Sequence, residues 1–128
     1  MANFANYDVI SDGNTLIDAA GDPDHDFDIG LDSNVNVAIR SVLSYMIDPG
    51  SPGVTFKMQI VNADLPNSSQ QIITQIVPPT TLASMSPFAR QEVINGAVLK
   101  KIGNILRIHV TAGRANFSDL VLMYKSST

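Results

Sequence analysis

The sequence predicts an all-β fold: an antiparallel β-sandwich of jelly-roll or Greek-key type, about eight strands with at most one short helical turn. Three observations carry this. Apolar residues recur at every second position in short segments. Long helical periodicity is absent. Turn-forming clusters punctuate the segments at short spacing. At 128 residues the chain has the size of one domain, residues 1–128, and can bury a core without covalent staples. It contains no cysteine, so neither a disulfide nor thiolate chemistry enters.

The elements follow in order. A turn at Ser11, Asp12, Gly13 and Asn14 opens a strand over residues 14–19. Residues 25–31 alternate strictly, with Phe27, Ile29 and Leu31 on one face and Asp26 and Asp28 on the other. Residues 35–48 form the longest β-rich run. Val35, Val37 and Ile39 share a face, and 42–47 is apolar on both sides, as in a central strand or one covered by a partner. The run stops at Asp48-Pro49-Gly50-Ser51-Pro52-Gly53, the strongest turn signal in the chain. Residues 54–61 resume the alternation, with Phe56, Met58 and Ile60 inward and Thr55, Lys57 and Gln59 outward. The two runs read as hairpin partners.

A polar loop over 62–70 leads to a strand over 71–77, which Pro78 and Pro79 should halt, because proline gives a ladder no donor. Ser86 and Pro87 suit the cap and first position of a helical turn. Asn95-Gly96 separates the apolar segments 92–94 and 97–99. Residues 105–111 place Leu106, Ile108 and Val110 inward and Arg107, His109 and Thr111 outward. Ala112, Gly113 and Arg114 turn into a last strand over 116–125. Tyr45, Tyr124, Met46, Met58 and Met123 read as core.

Charged residues make up only 16% of the chain, against an ordinary ~25%. Asn, Ser and Thr supply the polar surface instead, which suits contact with another protein copy or a sugar. The net charge of −4 conceals an asymmetry: ten Asp against Arg40 and Lys57 in residues 1–64, and six basic residues against Glu92 and Asp119 beyond. Such a dipole steers association, or vanishes where the halves interleave in one sandwich. The acidity argues against nucleic acid, whose phosphates need a basic stripe. No apolar run approaches the ~20 residues of a membrane span. The first residues carry no secretory signal, so the expected location is cytoplasmic, or outside the cell by a route without a cleaved signal.

The C-terminal third resembles the closing strands of galactose-binding-domain-like jelly rolls. The matching residues are Val93-Ile94, Leu99, Gly103-Asn104-Ile105-Leu106-Arg107-Ile108-His109-Val110 and Phe117-Ser118-Asp119-Leu120-Val121-Leu122. Ile102 stands where that turn commonly has proline. The resemblance implies a fold, and a class whose members often bind sugars through loops at one end. It transfers no ligand residue, because the shared positions are core and turn positions.

The acidic run holding Asp22, Asp24, Asp26 and Asp28 is the most distinctive feature. Calcium takes six to eight oxygen ligands, and clustered carboxylates with loop carbonyls supply them. Phe27 and Ser33 stand where an EF-hand needs Gly and Glu, so only a jelly-roll type of calcium site remains. The plainer reading is a solvent-facing strand whose charge discourages edge pairing. Arg107 and His109, with Asp26 and Asp28, form the expected polar ligand patch; an ordinary solvent face is the alternative. His25 and His109 are the only histidines, too few for a convincing zinc site, and no Gly-x-Ser-x-Gly elbow is present. Nothing marks Glu92 and Asp119 as a glycosidase pair. The chain lacks Trp, which counts against an aromatic sugar platform.

The expected function is that of a non-catalytic binding module, lectin-like, taking a carbohydrate or other polar ligand at loops 22–28, 48–53 and 62–70. The alternative is a structural subunit of a homo-oligomeric assembly of viral, phage-tail or toxin-associated kind. No enzyme activity is expected, and calcium is the one cofactor the residues suggest.

Overall fold

The structure is a computed structural model describing residues 3–62 and 71–127. Among the described residues nine strands succeed one another: β1 (Asn3–Ser11), β2 (Thr15–Asp18), β3 (Asp24–Ile29), β4 (Ser41–Pro49), β5 (Thr55–Asn62), β6 (Ile72–Thr81), β7 (Phe88–Ile94), β8 (Asn104–Ala112) and β9 (Arg114–Ser127). They form two antiparallel sheets. The first has the order β1-β9-β4-β7, with β2 continuing the line of β1 along β9. The second has the order β3-β8-β5-β6. This is the predicted jelly-roll sandwich.

Alternation determines which side chains meet between the layers. On β8, Leu106, Ile108 and Val110 are fully buried, and so are Phe56, Met58 and Ile60 on β5. They face Leu43, Tyr45 and Ile47 of β4 and Phe117, Leu120 and Leu122 of β9. Phe56 and Phe117 join the sheets edge to face, with ring centroids 5.7 Å apart, a favoured aromatic geometry.

The sheets are coupled by a corner one residue long. β8 ends at Ala112 in the second sheet, and β9 starts at Arg114 in the first. Gly113 makes the turn with φ +73°, and a Cβ there would lie 2.5 Å from Ser51 Oγ. Only glycine satisfies both demands without strain. At the other end of β8, Gly103 turns with φ +75°. The next residue, Asn104, is buried and clamps the incoming loop: its Oδ1 accepts from Lys100 N at 2.8 Å and from Asn62 Nδ2 at 2.9 Å. Its Nδ2 donates to the Lys100 carbonyl. The Gly-Asn pair of the jelly-roll resemblance is thus a turn plus a buried staple.

Several expectations are corrected. β4 and β5 are not hairpin partners, since they lie in different sheets. The connection over residues 50–54, with Pro52 and two glycines, is long enough to cross the ~10 Å between layers, so the apolar sides of these strands meet face to face. Gly50 N ties that connection to the Arg114 carbonyl at 2.9 Å. The strand expected over 35–48 begins only at Ser41; Val35 makes an isolated bridge to Ser126. β6 runs through Pro78 and Pro79 to Thr81 because it is an edge strand, where a missing donor costs no ladder bond. Ser86 and Pro87 form a bend before β7 rather than a helical turn. The apolar segment 97–99 is turn and bend. β1 is a strand the sequence does not mark, since its apolar residues Phe4, Ala5, Tyr7, Val9 and Ile10 break the alternation; Phe4, Tyr7 and Val9 lie exposed. Met46 and Met123 point outward, whereas Met58 is core.

Replacing Gly113 by Ala is expected to lower stability by about 2 kcal/mol, from left-handed backbone strain and the clash with Ser51. Urea denaturation measures it, and an unchanged midpoint would contradict the corner's role.

Candidate functional site

The second sheet brings the acidic first half of the chain against the basic second half. β3 pairs with β8 so that Asp24 stands opposite His109, Asp26 opposite Arg107 and Asp28 opposite Ile105. The ladder continues into β5, which sets Lys57 beside His109 and Gln59 beside Arg107. β6 then adds Gln75 beside Gln59. All these side chains share the outer face, because their neighbours Phe27, Ile29, Leu106, Ile108, Met58 and Ile60 fill the core. The charge dipole of the sequence is therefore partly neutralised within one sheet.

The central contact is bidentate. Arg107 Nε donates to Asp26 Oδ1 at 2.8 Å and Nη2 to Oδ2 at 3.0 Å. This hydrogen bonding holds the Asp26 carboxyl below its ordinary range, against a burial effect that raises it. The same bond pushes the Arg107 guanidinium further up. Two residues along the same strands, the His109 ring bonds the Asp24 carboxylate. The result is a flat row of carboxylate, guanidinium and two side-chain amides across four strands, roughly 14 Å from end to end. Such groups read hydroxyls and planar polar ligands rather than apolar ones.

The structure brings together Asp26, Asp28, Arg107 and His109, the four residues expected to bind a ligand, on one face. They lie on the strands of the sheet rather than in loops at its end. Loop residues 63–70, part of that expectation, lie outside the described residues. Lys57, Gln59 and Gln75 share this face but are not among the residues the sequence singled out. Their outward parity was the available signal for Lys57 and Gln59, but nothing in the sequence showed which strands would flank β8. Of the residues expected to hold calcium, Asp24, Asp26 and Asp28 stand on alternate positions of one strand, ~6.6 Å apart per pair. Asp22 lies beyond, bridging Asp18. Among the described residues, no three His, Cys, Asp or Glu side chains gather into a metal-binding group.

The remaining titratable candidates are dispersed. The His25 ring packs against Phe27, tilted by 49° with centroids 4.5 Å apart, on the side of β3 opposite to His109's partner Asp24. Glu92, on β7, accepts a 2.7 Å hydrogen bond from the Tyr45 hydroxyl and lies 3.5 Å from Arg90. Arg90 in turn sits over the Phe56 ring. Burial, then the Glu92 carboxylate, pushes the Tyr45 hydroxyl well above its ordinary value. Asp119 has φ +52°, at the point where the β4–β9 register shifts by one residue; Asp tolerates that region. Glu92 thus serves a packing cluster, while Asp119 shapes a bulge.

No protein-family model matches the chain, and no curated protein matches it. Solved structures share its fold at low identity. A chain of the infectious bursal disease virus particle is 12% identical with a TM-score of 0.65, covering 97% of this chain and 31% of the viral one. The CBM22-1 xylan-binding domain from Paenibacillus barcinonensis is 11% identical with a TM-score of 0.51, covering 95% of this chain and 86% of that domain. A Clostridium thermocellum xylanase comprising CBM22-1 and GH10 modules, complexed with xylohexaose, gives 10% and 0.54 over 92% of this chain. This chain spans 26% of that xylanase and less than a third of the viral chain. At these identities the likeness establishes a β-sandwich of jelly-roll type.

Two pH effects follow, with opposite signs. The fold favours ionised Asp26, so its contribution is present above the ordinary Asp value near 4 and fades as pH falls through the lowered folded value. The pair is half exposed, so Asp26→Asn should cost only about 0.5 kcal/mol at neutral pH and should lessen acid sensitivity. The fold favours neutral Tyr45, so its contribution is present below about pH 10 and fades as pH rises toward the folded value. Tyr45→Phe should flatten that alkaline loss and cost about 1 kcal/mol at neutral pH. Thermal melts from pH 3 to 11 measure both, and a Tyr45→Phe profile identical to the parent above pH 10 would contradict the second.

Proposed function

We propose that this chain is a non-catalytic recognition module that takes a hydroxyl-rich polar ligand, an oligosaccharide, along the outer face of β3-β8-β5-β6. The observation that carries the reading is the row Asp26, Arg107, Gln59 and Gln75, paired side by side across all four strands. Two neighbouring amides and a guanidinium braced by Asp26 can donate and accept along an extended chain of hydroxyls, which replaces the aromatic stacking that other sugar binders use. The xylan-binding domain of similar fold and the galactose-binding resemblance of the C-terminal third support the same class of ligand. The non-catalytic part is supported by the dispersal of His25, Glu92 and Asp119, and by the exposed strand position of the His109–Asp24 pair, which has no Ser or Cys nucleophile among the residues paired beside it.

A second reading, a structural subunit of an assembled particle, is favoured by the likeness to the viral-particle chain and by the apolar outer face of the other sheet.

Titration of the 15N-labelled protein with xylohexaose and a panel of other oligosaccharides tests the first reading, with and without calcium. The expected result is chemical-shift change centred on Gln59, Gln75 and Arg107, weakened at least tenfold in affinity by Gln59→Ala with Gln75→Ala. An EDTA-sensitive response at Asp22, Asp24, Asp26 and Asp28 would add the calcium site. Absence of any response on this face across the panel would overturn the reading.

A further inference from the structure

The outer face of the first sheet has the opposite chemistry. Register places Tyr7 beside Met123, Met123 beside Val42, and Val42 beside Val93, an apolar row across β1, β9, β4 and β7. The next row holds Val9, Val121, Ser44 and Gln91. Beyond it Met46 pairs with Ala89. These side chains are open to solvent: Tyr7 is 66% exposed, Val93 59%, Val9 49%, Met123 41% and Met46 39%. A sheet face this apolar on both sides of a central strand marks an interaction surface.

The charges at its ends decide the occupant. Arg40 and Lys125 flank one end, beside the Val42–Met123 pair, where they line a shallow depression with Ala5 and Tyr124. Asp48 lies exposed at the other end of β4. Along β4, Ser44 is the midpoint between Arg40 and Asp48, and also between Val42 and Met46. A two-fold axis through Ser44 therefore sets Arg40 and Lys125 of one copy against Asp48 of the other. It also sets Val42 of one copy against Met46 of the other. The face is complementary to itself, as an isologous interface requires.

The geometry points to a second copy of this chain as the partner of this face, in a two-fold dimer with the β4 strands antiparallel across the interface. This is independent of the ligand reading, which uses the other sheet. The apolar centre covers roughly 400 Å² of sheet, short of the about 800 Å² per partner in a standard interface. Closure therefore needs the charged ends as well, and the dimer should depend on concentration and weaken with salt.

Sedimentation velocity of the full chain from 1 to 500 μM is the test, with circular dichroism to verify that each variant is folded. The parent should dimerise, and Met46→Glu should raise the dissociation constant at least tenfold. Asp48→Arg alone, and Arg40→Asp with Lys125→Asp alone, should each weaken it. An equimolar mixture of those two variants should recover a dimer, since each copy then offers what the other lacks. A parent monomeric throughout, a dimer indifferent to Met46→Glu, or a mixture no tighter than its components would each overturn the proposal.

Discussion

Everything in this molecule depends on a strand period of two held in register around one glycine corner. β8 and β9 lie at the centre of their sheets and carry buried apolar side chains from Leu106 to Tyr124, and Gly113 alone separates them. Because the corner admits no side chain, β8 and β9 fold onto opposite layers with Leu106, Ile108 and Val110 facing Phe117, Leu120 and Leu122. Every other pairing is built outward from these two strands: β3 and β5 on either side of β8, β1 and β4 on either side of β9. Once the inward residues are fixed, the outward ones follow, since a slip of one residue would exchange the faces.

That constraint yields two outer surfaces of unlike chemistry on one scaffold. Behind the core of the second sheet stand carboxylates, a guanidinium, an imidazole and amides. Behind that of the first stand valines, methionines and a tyrosine. The fold does not select between recognition of a ligand and assembly, and jelly rolls of similar shape occur in a xylan-binding domain and in a viral particle. The two proposed roles fall on different sheets, so one need not exclude the other.

The sequence makes the inward half of this architecture readable, because alternation at Phe56, Met58 and Ile60 or at Leu106, Ile108 and Val110 needs no knowledge of partners. It also makes Asp26, Asp28, Arg107 and His109 readable as one class of outward residue. What it hides is adjacency between distant strands. That Arg107 lies between Asp26 and Gln59 depends on β3 and β5 flanking β8, at separations of roughly 80 and 50 residues along the chain. For the same reason β4 and β5 were mistaken for a hairpin: a strong turn signal is local, while the choice of layer is made by the whole core. Met46 and Met123 misled in the other direction, since an apolar side chain on a both-sided strand looks like core whichever way it points.

The central claim is the division of labour between the two outer faces. Solution NMR of the uniformly labelled chain tests it most directly, recording backbone shifts first across a dilution series and then across a xylohexaose titration at fixed concentration. The account predicts two disjoint sets of moving resonances: Tyr7, Val42, Met46, Val93 and Met123 with dilution, and Gln59, Gln75 and Arg107 with ligand. Both perturbations converging on one sheet, or scattering over the whole domain, would contradict it.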